Sequence, residues 1–598
     1  MKRMKNKFLI ISGLTVAIGI AACKKSFLDK APLGTLSPEI VATESGIQGI
    51  LIGAYSMVDG TGGGVGNYGA AISNWTFGGV ASDDAYKGSD PSDIADLAQF
   101  EQFKTLTPTN SALDQKWVGM YKGAQRSNDA IRTLAIAKGI SANTATQITA
   151  QARFLRAFFH YELKKVFGNI IYADETVTPD NTNQDNKADA WPKIEADLKF
   201  AADNLPETWS EVGRANKWAA KALLAKVYMQ QGKYTEAYPL LQDVIANGKT
   251  TGGAKYDLFQ HFYSNFNPQQ KNGPESIWAA QTSVKDNSSV DWGGDPNGNY
   301  GDLLNFPYNG GPGACCGFYN PSQDLANAFK TDANGLPLLD ESYATGLNVS
   351  DKTTPYTGNL DPRIDWAIGR PGIPYLDWGN HPGEDWIRNP VNDGRFSPKK
   401  NVYAKSQKDG YTDAGSAYWG PNELVANNVN LIRFADVLLM AAECAVKAND
   451  IPTAMNYVNK VRNRAADKTG WVYKTGAYNA ATATYADQTT PADNYKIAPY
   501  TAATFNAGNA LAAVRFERRL ELAMEGHRFF DLQRYDKESP GLMADVLNRY
   551  IGREKALRPL KKDAQFIKGR NEIFPIPQNE IDQMNADGKI RLVQNPGY

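Results

Sequence analysis

The strongest constraint on this chain is a helical periodicity that stops and then resumes. Apolar residues recur at helical spacing over 43–58, 111–137, 145–167, 187–204, 214–231 and 233–247. The pattern is lost over 250–430, where Pro, Gly, Asn, Asp and aromatic residues dominate, and returns over 431–447, 451–466 and 507–536. A helical hairpin buries its apolar face only against another hairpin, so such segments must stack. Ala225, Tyr228, Gly232, Tyr234, Ala237 and Leu241 share their offsets with Ala442, Ala445, Asn449, Ile451, Ala454 and Val458. Small residues at the helix crossing fit tetratricopeptide-like hairpins, and a generic helical hairpin fits almost as well. The expected fold is mainly α: stacked tetratricopeptide-like helical hairpins form a scaffold, beside a large irregular, loop-rich half. The expected organisation is a single domain over 41–598. Its helical repeats cover about 43–249 and 431–536, a loop-rich part covers about 250–430, and a C-terminal segment covers 537–598.

The start of the chain gives an address. Lys2, Arg3, Lys5 and Lys7 precede an apolar run from Phe8 to Ile20. At roughly 20 residues needed to span a bilayer, that run is too short and suits a signal-peptide core. Ile20-Ala21-Ala22-Cys23 then resembles a lipobox, so 1–22 reads as a lipoprotein signal peptide, Cys23 as the lipidated residue and 23–40 as a linker. An ordinary secretory signal that happens to contain a Cys is the plainer alternative.

Composition excludes some functions. Lys+Arg (64) equals Asp+Glu (64), so the chain lacks the positive excess that displaces counterions from nucleic acid. Gly64-Val65-Gly66-Asn67-Tyr68-Gly69 fits a dinucleotide fingerprint, with Asp83 beyond it, but a helical pattern precedes it where a strand is required. His160 and His527 lie in helical patterns and read as structural; His261 and His381 complete the four. Asp377 with Asp385 could supply a glycosidase pair, which sequence spacing cannot test. Asp295, Asn297 and Asn299 offer alternate oxygens but lack the Gly and distal Glu of a calcium loop, so no metal or cofactor is expected. Cys444 sits in an apolar helical run and reads as a core thiol. Cys315 and Cys316 are adjacent in a Gly/Pro loop. In an oxidising compartment a vicinal disulfide and two free thiols are both open. Arg515, Arg518, Arg519 and Arg528 interleave with Glu517, Glu521, Glu525 and Asp531, which reads as a helix pinned by ion pairs rather than a ligand site. Arg153 and Arg156 read the same way.

Several stretches together resemble the SusD/RagB family of Bacteroidetes outer-membrane lipoproteins. They include CKKSFLDKAPLGTLSPE at the lipidated start, QARFLRAFFHYELKKVFGNI (151–170), GRANKWAAKALLAKVYMQQGKYTEA (213–237) and PSQDLANAF (321–329). DPRIDWAIGR (361–370), LIRFADVLLMAAECAV (431–446), VRFERRLELAMEGHRFFDLQRYD (514–536) and IFPIPQNEI with LVQNPGY (573–598) complete the series. Acidic residues often follow the Cys of surface-displayed relatives, whereas Lys24 and Lys25 come first here, with Asp29 later.

The resemblance implies no catalysis. It implies a cell-surface, lipid-anchored protein of the outer membrane that captures oligosaccharide and caps a SusC-like TonB-dependent transporter like a lid. A peptide-import lid of the same family and a surface glycoside hydrolase are the alternatives. The family's ligand lies on an aromatic arc built from loops, because the C–H faces of sugar rings pack on flat aromatic surfaces. That role is carried over to Trp75, Trp292, Tyr300, Trp378 and Trp386, with Tyr308, Asp83 and Asp84 beside them. Trp366 follows DPRID and reads as core. The zero net charge and the Asp-rich stretch near 286–302 point to a neutral glycan.

Overall fold

A computed structural model describes residues 38–62, 66–288, 297–313, 315–413 and 422–598. The leader, Cys23, Gly64, Val65, Trp292 and Asp295 lie outside the described residues. The chain is mainly helical. The principal helices are α1 (Glu44–Tyr55), α2 (Ser111–Ile136), α3 (Ala142–Phe167), α4 (Trp191–Asn204), α5 (Lys217–Gln230) and α6 (Tyr234–Asn247). They continue as α7 (Phe434–Lys447), α8 (Ile451–Ala466), α9 (Ala510–Glu521), α10 (Arg528–Glu538) and α11 (Leu542–Glu554). Local chemistry sets several starts. Thr43, Asn110, Ser141, Asn216 and Asp450 each accept a backbone N–H from the first turn of the helix that follows.

Each helix from α1 to α8 packs on the next along the chain, and α9 lies across α7 and α8. The stack is continuous through the break in periodicity, because α6 packs directly against α7 although the whole loop-rich segment separates them in sequence. The two matching hairpins are therefore neighbours. Ala225, Ala237, Leu241, Ala442, Ala445, Ala454 and Val458 are fully buried between helices. Gly232 and Asn449 occupy the same place in the two turns, with φ of 78° and 60°. Glycine and asparagine are the residues that tolerate this left-handed geometry.

The loop-rich half is closed at its base by a short ribbon. Strand β1 (Ser276–Ala280) pairs antiparallel with β2 (Val429–Arg433), so the segment leaves and rejoins the scaffold at one point. Buried ion pairs weld the two halves together. Glu521 of α9 accepts from Arg433 at 2.6 Å, from Arg363 at 3.0 Å and from Arg464. Glu275, next to β1, accepts from Arg433 at 2.8 Å and Arg464 at 3.1 Å. Glu517 accepts from Arg462 at 2.7 Å and forms an ion pair with Arg363 at 2.6 Å.

Two segments depart from their sequence reading. The helical pattern over 507–536 is two helices, α9 and α10, with Met524 and Gly526 left-handed between them (φ 62° and 71°). Gly526 lies against the 73–78 backbone, where a Cβ would stand 2.0 Å from the Ser73 carbonyl oxygen. The Gly/Ser/Asp-rich stretch 59–92 has the composition of a loop, yet residues 74–89 are buried throughout and carry a π-helical turn at Trp75–Val80. Its small residues let the backbone thread between others: a Cβ on Gly78 would stand 1.8 Å from the Gly526 carbonyl oxygen.

Candidate functional site

The main core runs through the helical stack and on into the loop-rich half. A second, separate apolar cluster lies wholly within the loops: Phe306, Tyr375, Trp386, Val402, Tyr403 and Val425, with Trp378 packed against it. Its rings meet edge to face. Trp378 stands 5.8 Å from Tyr403 at 73°, and Trp386 stands 5.4 Å from Tyr375 at 85° and 5.1 Å from His381 at 74°. Such offsets suit the quadrupoles of aromatic rings. Hydrogen bonds hold the rings in place. The Trp378 indole donates to the Tyr403 carbonyl at 3.0 Å, and the Tyr375 hydroxyl donates to the Pro398 carbonyl. The Tyr403 hydroxyl accepts from the Gly313 amide at 3.1 Å.

Most of these rings form a floor, and the rim is made by a few side chains that reach solvent. Trp378 and Tyr308 are half-buried, and Arg388, Asn309 and Lys405 are exposed. Arg388 lies 5.6 Å from the Tyr308 ring centre, anchored by Asp93 at 2.6 Å and Ser89 at 3.0 Å. Lys405 lies 6.0 Å from the Trp378 ring centre. The Asp377 carboxylate accepts the Lys405 and Ser406 amides at 2.5 and 2.9 Å, which caps that turn.

The structure separates the expected ligand residues. Tyr308, Trp378 and Trp386 gather at this cluster. Trp386 is 8% exposed and its ring carries the Gly311 backbone, so it supports the rim rather than forming it. Trp75, Asp83, Asp84 and Tyr300 are corrected from ligand face to interior. Trp75 is fully buried, donates to the Gly301 carbonyl at 3.0 Å and packs against Phe318 and Tyr319. Tyr300 is 1% exposed within the same core. Asp83 and Asp84 are partners of the arginines after α8. Arg528 clamps Asp83 with two bonds of 2.7 and 2.8 Å, and Arg519 reaches Asp83, Asp84 and Asp324 at 3.0–3.1 Å. Burial alone would raise the Asp83 carboxyl, but Arg519 and Arg528 hold it below the usual range. Burial pushes Asp84 up to about 6, against the pull of Arg519.

Other readings also find their place. Cys315 and Cys316 are joined in a disulfide, and Cys444 is buried as a free thiol. Asn297 donates to Asp286 at 2.7 Å and Asn299 to Asp302 at 2.9 Å, so both amides are engaged within the loops. Trp366 is core, with its ring 4.9 Å from that of Tyr263. Arg153 and Arg156 converge on Asp197. No helix among the described residues is long and apolar enough to cross a membrane. Sequence reasoning missed Tyr403, Arg388 and Lys405. The only signal for Tyr403 was a short apolar run, Val402–Ala404, in an otherwise polar stretch.

Comparison with known proteins places this architecture. Residues 274–598 match a family model described as "SusD family", and residues 26–229 match one described as "Starch-binding associating with outer membrane". SusD-like protein P2 of Formosa agariphila is 24% identical and covers 100% of both chains. SusD-like protein P25 of the same organism is 23% identical over 88% of each chain. Among solved structures, "Laminarin binding SusD-like protein" superposes with a TM-score of 0.64 at 24% identity, over 93% of this chain and 99% of its own. "Surface glycan-binding protein A from Bacteroides thetaiotaomicron in complex with laminarihexaose" superposes with a TM-score of 0.60 at 20% identity, over 92% of this chain and 99% of its own. With one family model matching more than half its length, the chain belongs to the SusD family.

Proposed function

We propose that this chain is a non-catalytic, lipid-anchored outer-membrane protein that captures a neutral oligosaccharide at the loop-borne aromatic cluster and delivers it to a SusC-like TonB-dependent transporter. The observation that carries this reading is the second apolar cluster, which is separate from the core and rimmed by the half-buried rings of Trp378 and Tyr308. A rigid floor under two accessible rings suits the C–H face of a pyranose, and loops on a fixed scaffold are where binding residues concentrate. The non-catalytic reading is supported by Asp377, whose carboxylate is engaged by two backbone amides. Outer-membrane placement is supported by the family description, "associating with outer membrane". The transporter and the lipid anchor rest on the family resemblance and on the Cys23 context.

Titration calorimetry tests the ligand. The panel follows the names of the relatives, with laminarihexaose and maltohexaose as neutral probes. Oligouronates probe the cationic side chains Arg388 and Lys405. Micromolar to millimolar binding of a neutral member, without new reducing ends, is the expected result. A preference for uronates overturns the neutral-ligand reading, and hydrolysis overturns the non-catalytic one. Co-purification from outer membrane in mild detergent tests the transporter complex.

A further inference from the structure

In the loop 311–320, Gly311 and Gly313 lie against the second cluster, while Cys316 belongs to the main core and Cys315 packs against it. A Cβ on Gly311 would stand 3.1 Å from the Trp386 ring, and one on Gly313 2.6 Å from the Phe306 ring. Both positions bring backbone onto ring. The Gly317 amide donates to the Phe306 carbonyl at 3.0 Å, and the Gly317 carbonyl accepts from Ser89 at 2.6 Å. Among the described residues of this loop, Cys315 is the one that is not buried. Two residues further on, a Cβ on Gly317 would lie 3.3 Å from the Tyr308 Cβ and 3.5 Å from the Arg388 Cβ, so the loop runs from Cys315 to the rim.

The Cys315–Cys316 disulfide lacks a structural purpose of the usual kind. A disulfide stabilises a fold mainly by closing a loop in the unfolded chain, and the effect grows with loop length. Joining neighbours in sequence closes almost no loop. What the bond does supply is a surface. It removes two thiol donors, fixes two side chains that would otherwise rotate, and leaves Cys315 as a partly exposed, polarizable apolar edge, with Cys316 buried beneath it and the Glu423 carboxylate within 4.8 Å. An edge already fixed before binding loses little freedom when a ligand lands on it.

We propose that the Cys315–Cys316 disulfide is a contact surface of the glycan site, packing against the C–H face of a sugar ring held beside Tyr308. The inference rests on the glycan-binding reading above. Two experiments test it, both on the full mature protein with the hexasaccharide that binds best in the panel.

The first is calorimetry on the double variant Cys315→Ser/Cys316→Ser, alongside thermal melting. The expected result is a nearly unchanged melting temperature and affinity about three- to tenfold weaker, the scale of one sulfur contact. Unchanged affinity overturns the proposal. The second reads cover directly on the wild type. A phosphine reductant attacks one sulfur and breaks the S–S bond, and the other sulfur leaves as a thiolate that takes a proton. Water then releases the first thiol and leaves the phosphine oxide. Saturating glycan should slow thiol release severalfold, and an unchanged rate overturns the proposal even where the variant fails to fold. Wild type that binds no member of the panel overturns the glycan reading itself, and the inference with it. Binding that is lost in Trp378→Ala but untouched in the double variant overturns the inference alone.

Discussion

Tyr308 donates its backbone N–H to the carbonyl oxygen of Trp386 at 2.9 Å. That single bond joins two loops that are far apart in sequence and carry most of the rings of the site. The rim is thereby set by backbone pairing, and a ligand meets rings that are already placed.

Replacing Trp378 with Ala should weaken glycan binding by roughly 1–3 kcal/mol, taking aromatic stacking on a base as the nearest scale. Tyr308→Ala should act in the same direction. Titration calorimetry on both variants checks this, and full affinity in both removes the site assignment.

Trp75→Ala should behave differently, because the ring is fully buried and its indole N–H is used internally. The expected loss is stability, about 3–5 kcal/mol for a large aromatic side chain removed from a core. Urea unfolding measures it, while the folded fraction keeps its affinity. A loss of affinity with full stability would return Trp75 to the ligand face.

Arg519→Ala should be equally damaging. It leaves Asp83, Asp84 and Asp324 without their shared guanidinium. Breaking a buried charge cluster by removing one partner costs roughly 3–5 kcal/mol. Arg519→Lys should rescue only part of it, since one ammonium cannot match a planar fork facing three carboxylates. Rescue to wild-type stability would refute that account.

His160 predicts a pH response. It is fully buried, its Nε2 accepts the Ala173 amide at 3.0 Å, and its Nδ1 donates to the Arg156 carbonyl at 2.9 Å. Burial lowers its pKa from 6.5 to about 4. The unfolded chain therefore takes up the proton first. The stability tied to neutral His160 is complete above about pH 6.5 and is lost as pH falls towards 4. Between pH 7.5 and 5 the loss should be ~2 kcal/mol. Urea midpoints of the wild type and His160→Gln at both values isolate this from the other histidines; equal pH dependence in the two proteins refutes it.

Cys23→Ala should release the protein from the membrane without unfolding it, because acyl chains hold a lipoprotein at the bilayer. Fractionation of cells lacking the proposed transporter partner checks this, and continued sedimentation with outer membrane contradicts it.

The scaffold was legible because stacked hairpins impose a period. Ala225 and Ala237 or Ala442 and Ala454 mark helix crossings whatever lies beyond them. Adjacency of α6 and α7 was not legible, since periodicity says nothing about which hairpin meets which across an insertion. The ion-paired character of Arg518 and Arg519 was readable from charge mixing, but their partners were not: Arg518 reaches Asp436 and Arg519 reaches Asp83. The site was half legible for a similar reason. Composition marks loops rich in rings, but Trp75 and Trp378 look alike in sequence. One is threaded through the interior by the glycines of its own turn, and the other stands on a loop and ties its indole N–H to the Tyr403 carbonyl.

The carboxylates of Glu275, Glu517 and Glu521 also decide how such a protein can move. On Glu517 and Glu521, Arg363 of the loop-rich half meets arginines of the scaffold, and Glu275 of the loop-rich half takes Arg433 and Arg464, all of them buried. Among the described residues these pairs tie the loop-rich half and the helical frame into one unit. In the proposed capping role the two would turn together, as a plate on an outside hinge rather than as a jaw.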